Sequence, residues 1–312
     1  MEQTTGNQLP RDARSAGTYI VPSRTTHTHT IILLHGFSSN GEKFGKELLE
    51  TGITSSGKTF QDLLPGARFV FPTAKRRRST AFGRKRLTIW FDIARLPDPS
   101  HRRETQLQGL AESAVEIREL LRREMELVPA KNIILGGMSN GCAMSLSVLL
   151  SLEYSLGGYI GISGYLPFWR EIEDAVNGVG GTLDGGTDDD DPFASSDDGD
   201  PFATSGDEGE HPKEPVLKAL RFERDLLCIE ELPNATVEQT AQSTPVFLGH
   251  GDQDEKKPYV EGETASRVMR AAGYDVDWKL YPGLGHWYKI PDEIDDITYF
   301  IGEKVGWELV DT

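Results

Sequence analysis

The chain has 312 residues, 37% of them hydrophobic, with 33 Lys and Arg against 49 Asp and Glu; this is an ordinary globular composition, long enough for one large α/β domain or two small ones. The net charge of −16 would by itself suggest a basic partner, but nine Asp and two Glu fall between Ala175 and Glu210 with no Lys or Arg, and the remainder, 33 basic against 38 acidic, carries an unremarkable −5. Two cysteines exclude a disulfide framework, and no window approaches the ~18 uninterrupted apolar residues of a membrane-spanning helix.

Residues 1 to about 17 are polar and lack the apolar core of a secretory signal. They are expected to form a disordered tail on a soluble, cytoplasmic protein. Thr18 to Val21 reads as a short strand, and Thr30 to Leu34 as a fully apolar strand of buried type. The latter empties into His35-Gly36-Phe37 and a polar loop, so backbone N–H groups are left without ladder partners; such donors suit an oxyanion, although an ordinary strand-to-helix turn would look the same. Glu42 to Leu49 is expected to be helical, and Ala67 to Phe71 a strand closed by Pro72.

A basic run follows, Lys75-Arg76-Arg77-Arg78 and then Arg84-Lys85-Arg86. In an acidic chain this is weak evidence for nucleic acid or for nuclear import; it reads as a solvated loop, paired in one version with the acidic insert, and nuclear entry stays open. Trp90-Phe91-Asp92 either packs in the core or walls a pocket. From Gln106 to Val128 the residues Leu107, Leu110, Ala114, Ile117, Leu121 and Met125 mark one face of a long amphipathic helix.

Asn132 to Leu135 is a short β-rich run, Ala143, Leu146, Leu149 and Leu150 recur at helical spacing, and between them lies Gly137-Met-Ser139-Asn-Gly141. Strand, Gly-x-Ser-x-Gly and helix in that order describe a sharp turn that holds a serine at strained angles, with glycines on either side because a Cβ there would collide with a neighbour. Ser139 is the candidate nucleophile. Cys142, next to it, is expected to be a buried, reduced thiol.

Tyr159 to Ile162 is a further buried strand. About 175–212 is a low-complexity acidic insert with a near-repeat, DPFASS from Asp191 and DPFATS from Asp200, too poor in apolar groups to order itself. It lacks EF-hand spacing, so no metal is expected. Val216 to Leu232 regains helical spacing as a candidate cap over the site. Strand Pro245 to Leu248, helix Tyr259 to Ala272, strand Val276 to Tyr281 and helix Asp292 to Trp307 complete the alternation of a mostly parallel sheet with helices on both faces. Ligands of such sheets bind at the carboxyl ends of the strands, where every motif above lies.

A serine hydroxyl needs an imidazole to take its proton and a carboxylate to hold that imidazole. Of seven histidines, His27, His29, His101 and His211 lie in polar stretches, and His35 and His250 each precede a glycine at a strand end, where a ring more often plugs a turn. His286, in the glycine-rich loop Tyr281-Pro-Gly-Leu-Gly-His286, is the candidate base. Asp252 and Asp254 both follow strand Pro245 to Leu248; Asp254 is far enough along to turn back to His286, and Asp252 is better placed to brace the turn. The order Ser139, Asp254, His286 is that of the α/β-hydrolases.

Through IILLHGF, ARFVFPTA, IWFD, NIILGGMSNGCAMSL, GYIGISGYLPF, GHGDQD and YPGLGH the chain also resembles the acyl-protein thioesterases and related small carboxylesterases of the phospholipase/carboxylesterase family. The resemblance implies an α/β-hydrolase fold over 1–312, the triad Ser139, Asp254 and His286, oxyanion donors at the Phe37 and Asn140 N–H groups, and Trp90 in the acyl pocket. Three departures stand out: Asn140-Gly141-Cys142 replaces the usual Gln-Gly-Gly, Lys257 occupies a position that is usually apolar, and about 75 residues separate the Leu166-Pro167 segment from the strand before Asp254.

The resemblance implies a serine hydrolase of acyl esters or thioesters, working without metal or organic cofactor. Its substrate is an acyl ester or thioester, an S-acylated protein among the candidates, with neither nucleic acid nor stable membrane insertion expected. A lysophospholipase and a small-molecule esterase remain open, as does a non-catalytic binding module on the same fold, against which the intact triad argues.

Overall fold

The computed structural model describes residues 17–178 and 214–310. The expected N-terminal tail falls outside this range apart from Gly17, and so does all of the acidic insert beyond Gly178. A seven-stranded sheet carries the fold: β1 (Tyr19–Val21), β2 (His29–Leu34), β3 (Ala67–Phe71), then, beyond a two-stranded hairpin of β4 (Arg76–Ser79) and β5 (Lys85–Thr88), β6 (Ile133–Met138), β7 (Gly158–Ile162), β8 (Val246–Gly251) and β9 (Val276–Tyr281), in spatial order β1-β3-β2-β6-β7-β8-β9. Only β1 runs antiparallel to its neighbour. The mostly parallel architecture is the one expected.

Two cores form because successive strand residues point to opposite faces. Ile31 and Leu33 of β2 pack on one side with Ile134 of β6, against α1 (Gly41–Thr51), α2 (Phe60–Leu63) and α8 (Asp292–Glu303). Ile32 and Leu34 pack on the other with Ile133 and Leu135, against α3 (Leu107–Met125), α4 (Asn140–Leu150), α5 (Trp169–Asn177), α6 (Pro215–Leu226) and α7 (Tyr259–Ala271). All eleven residues of α4 are buried, so it is a fully enclosed helix rather than one with a single apolar face. It lies between the sheet, α3 and α6, which is why Ser145 and Ser147 face no water and why Ser145 Oγ bonds back to the Gly141 carbonyl and to Tyr159 Oη.

Four expectations need correction. The basic run is solvated, with only Arg77 half-buried, but it is not a loop: Arg76 to Ser79 pairs with Lys85 to Thr88 in a hairpin, turned by Gly83 and Arg84 at φ 59° and 63°. Register sets Arg78 opposite Arg86, an unfavourable pair in isolation; the hairpin is held instead by Arg77 with Glu112 and Lys75 with Glu116, both on α3, and by Asp92 accepting the Thr80 N–H. The insert does not begin at Ala175, because α5 runs through Asn177 on buried Ile172 and Val176. Helix α6 is not a cap: its Arg224 donates to the Ser151 carbonyl and to Glu153, beyond the far end of α4 from Ser139. The final helix ends at Glu303, and Trp307 folds back into the core against His29.

Cys142 is buried and reduced, as expected, with its Sγ 3.5 Å from Tyr159 Oη. Burial pushes its thiol up to about 12. Cys228 is exposed. Alkylation of the folded protein near neutral pH should therefore modify Cys228 and spare Cys142, with the second thiol reacting only in denaturant. Mass spectrometry counts the adducts, and fast labelling of Cys142 in the native protein would contradict its burial.

Candidate active site

Strand β6 ends at Met138, and one residue later α4 begins. Ser139 turns between them at φ 55°, ψ −117°, a region that residues with a Cβ rarely occupy. Crowding sets the turn. A Cβ on Gly141 would lie 2.3 Å from the Leu34 carbonyl oxygen and 2.6 Å from that of His35, and one on Gly137 would meet the backbone of Gly141 at 2.7 Å. The strand and helix thus touch backbone to backbone. Ser139 donates its N–H to the Ile162 carbonyl, and its own carbonyl accepts the Ala143 N–H, so the strained residue is tied at both ends.

Ser139 Oγ lies 2.9 Å from His286 Nε2, and His286 Nδ1 lies 2.6 Å from Asp254 Oδ2. The sequence-predicted serine, imidazole and carboxylate are therefore in mutual contact. Since a carboxylate can only accept, Nδ1 carries the proton, leaving Nε2 free to accept from the serine. Asp254 Oδ1 receives the N–H groups of Lys256 and Lys257 at 2.9 and 2.8 Å, and Oδ2 receives a second imidazole, His250 Nε2–H, at 3.1 Å. Burial alone would raise this carboxyl; the donors from His250, His286 and Lys257 outweigh it and hold it well below the usual carboxylate range. Asp252 is elsewhere: its Oδ1 accepts the Gly283 N–H at 2.7 Å and braces the loop that carries His286.

The oxyanion side is built from a different set of contacts. The Ala74 N–H donates to His35 Nε2 at 3.0 Å, which requires the proton on Nδ1, and Nδ1 donates to the Gly36 carbonyl at 2.7 Å. Burial pushes this ring down to about 4, so it stays neutral. In a trans peptide the C=O and the following N–H point opposite ways, and by gripping the Gly36 carbonyl His35 aims the Phe37 N–H away from itself. That N–H has no hydrogen-bond partner among the described residues. Neither does the Asn140 N–H, at the first position of α4 where the helix supplies none. The Asn140 side chain is buried and accepts the Trp90 N–H at 2.9 Å, so it works as a brace.

Trp90 is only 1% exposed and offers no surface to an acyl chain. Its indole N–H donates to the His35 carbonyl at 2.9 Å and its own carbonyl accepts from Ser113. It thus ties His35 to Asn140, the residues beside the two unpartnered N–H groups. Reading residues in sequence missed His35 and His250 and gave Trp90 another role; all three act through other groups. The only sequence sign of His250 was its place in the run His250-Gly-Asp-Gln-Asp254, four residues before the carboxylate. At the mouth, Phe37 stacks on Phe82 at the hairpin tip, with ring centroids 5.6 Å apart, and the Ser38 N–H donates to the Thr88 carbonyl. No group of acidic, His and Cys side chains suited to a metal occurs among the described residues.

The chain is also similar to known proteins. The phospholipase/carboxylesterase family model matches residues 15–187, and the prolyl oligopeptidase family model matches residues 228–307. Acyl-protein thioesterase 1 homolog 1 of Dictyostelium discoideum is 34% identical over 290 residues, covering 92% of this chain and 95% of that protein. Acyl-protein thioesterase 1 of Yarrowia lipolytica is 28% identical over 289 residues, 91% of this chain and 96% of its own. Among solved structures, Zea mays acyl-protein thioesterase 2 superposes with a TM-score of 0.60 at 23% identity, over 93% of this chain and 99% of that one, so the two share the α/β-hydrolase fold.

Because Gly141 faces carbonyl oxygens rather than a flexible side chain, Gly141→Ala should cost about 3 kcal/mol or more, since the backbone must move to admit the methyl group. Denaturant melts should show the midpoint fall, with turnover lost in step. A stable, active variant would mean that the strand-to-helix contact is looser than described here.

Proposed function

Because the chain belongs to the phospholipase/carboxylesterase family and is a serine hydrolase acting on acyl esters or thioesters, we propose that Ser139 is its nucleophile, His286 its general base and Asp254 the carboxylate that orients the base. The observation that carries this reading is the unbroken line Ser139 Oγ, His286 Nε2, His286 Nδ1, Asp254 Oδ2, with steps of 2.9 and 2.6 Å. In the first half-reaction Ser139 attacks the acyl carbonyl while its proton passes to His286, and the oxyanion is held by the Phe37 and Asn140 N–H groups. The imidazolium, stabilised by Asp254, protonates the departing alcohol or thiol. Water then enters, gives a proton to the same nitrogen and releases the acid from Ser139.

For the substrate we favour a thioester carried on a protein. Full-length similarity to several acyl-protein thioesterases supports this choice. Lysophospholipid and small-molecule esters are the alternatives. A panel of p-nitrophenyl esters of rising chain length, an S-palmitoylated peptide and a lysophosphatidylcholine separates them, with the highest kcat/KM expected on the peptide. A higher value on the lysophospholipid would replace the thioesterase reading. No helix among the described residues is long and apolar enough to cross a membrane.

Ser139→Ala should abolish labelling by a fluorophosphonate probe and lower kcat at least about a thousand-fold with the fold intact. Labelling that survived in this variant would place the nucleophile elsewhere and reopen the binding-module reading.

Asp254→Asn should lower kcat by roughly 10⁴, because an amide can present its N–H₂ to Nδ1 and impose the wrong tautomer. Asp252→Asn removes only a brace for the Gly283 N–H, so stability should fall by about 1 kcal/mol and kcat by a few-fold at most. Steady-state kinetics on both variants decide between the two carboxylates, and a heavier catalytic loss at Asp252 would reverse the assignment.

A further inference from the structure

The turn from β8 to α7 contains a buried lysine that the reaction does not obviously need. Lys257 is 4% exposed. Its N–H donates to Asp254 Oδ1 and its carbonyl accepts the His250 imidazole N–H at 2.9 Å, so its backbone closes the cage around the carboxylate. Its side chain leaves that cage. Nζ donates to the Leu96 carbonyl at 2.6 Å and sits 4.1 Å from the centre of the Tyr165 ring. Three loops at the carboxyl end of the sheet thus meet on one ammonium: the β8–α7 turn, the segment of residues 93–100, and the loop after β7.

Leu96 follows Trp90 by six residues, and Trp90 is the brace of His35 and Asn140. We propose that Lys257 is a positioning residue, which ties the segment following Trp90 to the turn carrying Asp254 and so fixes the spacing between the oxyanion donors and the base. This rests on the triad assigned above. A methionine would fill the same space without the expense of burying a charge, so an apolar residue would serve packing better than lysine does. The groups facing Nζ are Asp254 on its own turn, Glu261 on α7, Asp98 on the neighbouring segment and Tyr165; Arg170 of α5 lies near Glu261, and His250 of β8 touches the Lys257 backbone. Burial pulls the lysine down to about 8, against the opposite pull of Glu261, Asp254 and Asp98. Above that pH the amine keeps its place but loses the charge that binds both the carbonyl and the ring.

Stability and activity should then move in opposite directions. With the folded-state value below the ordinary lysine value of about 10.4, the unfolded chain binds more protons between the two, so this group makes the fold more stable as pH rises through that window. The clamp weakens over the same window. The test uses the full chain, its Lys257→Met and Lys257→Arg variants, and a neutral p-nitrophenyl ester from about pH 6 to about pH 10, with Ser139→Ala as the blank. Wild-type kcat/KM should decline through about pH 8. Lys257→Met should be about ten-fold lower at neutral pH, should lack that decline, and should melt no lower than wild type. Lys257→Arg should recover most of the neutral-pH rate and also lack the decline.

The proposal is overturned if Lys257→Met keeps the wild-type rate and alkaline limb, or if its rate and melting temperature fall together without rescue by arginine. Both of these outcomes presuppose that Ser139→Ala is inactive; activity in that variant would defeat the triad instead.

Discussion

A serine does not rest at φ 55°, ψ −117° unless its surroundings force it there. The force is the close approach of α4 to β2, with Gly141 lying against the Leu34 and His35 carbonyls. For α4 to come that close it must be pressed from behind, and every one of its residues is covered by α3, α6 or the sheet. The cost of the strain, of order 1–3 kcal/mol, is small beside the burial of eleven residues. One packing decision therefore exposes the hydroxyl, points the first N–H of α4 toward the same space, and brings Asn140 within reach of Trp90.

From that elbow the site divides into two halves held by different means. The oxyanion half depends on neutral groups: a histidine kept uncharged by burial, an indole and a primary amide, each bonded to backbone. The base half depends on charge, with Asp254 receiving four donors from four residues. This difference follows from the chemistry. A developing oxyanion needs donors that do not reorganise, and neutral donors fixed by packing cost little to keep dry. An imidazolium that forms and disappears in each turnover needs a permanent opposite charge, which stays ionised in a buried place only when its lone pairs are saturated.

The mostly parallel sheet, the strand-turn-helix around Ser139 and the glycine-rich loop of His286 were legible in the sequence, because each depends on local pattern: an apolar run, a glycine pair, a turn after a strand. What could not be read depends on contacts distant in sequence. The hairpin places Arg78 opposite Arg86, which local preference forbids, and stands because Glu112 and Glu116 on α3 receive Arg77 and Lys75. Trp90 read equally as core or pocket wall, and the family resemblance favoured the pocket; only its burial and its bonds to His35 and Asn140, 55 and 50 residues away, show that it packs and braces. His250 was passed over because a histidine before glycine at a strand end usually plugs a turn, and here it does so by gripping Asp254.

The two departures from the family pattern that lie in the site have different physical characters. Asn140 is absorbed: the oxyanion contact comes from its backbone, and its shorter side chain finds a partner in the Trp90 N–H. Lys257 is not absorbed in this way, since its ammonium is buried among Asp98, Glu261 and Tyr165 with one full hydrogen bond, to a backbone carbonyl. A charge with so few direct partners gains its keep only through what it joins. Its backbone N–H holds Asp254 while its Nζ holds the Leu96 carbonyl, so the residue joins the turn that carries Asp254 to the segment that follows Trp90. The elbow sets where the serine stands, and the three loops that meet at Lys257 are what the proposed tie would hold in register with it.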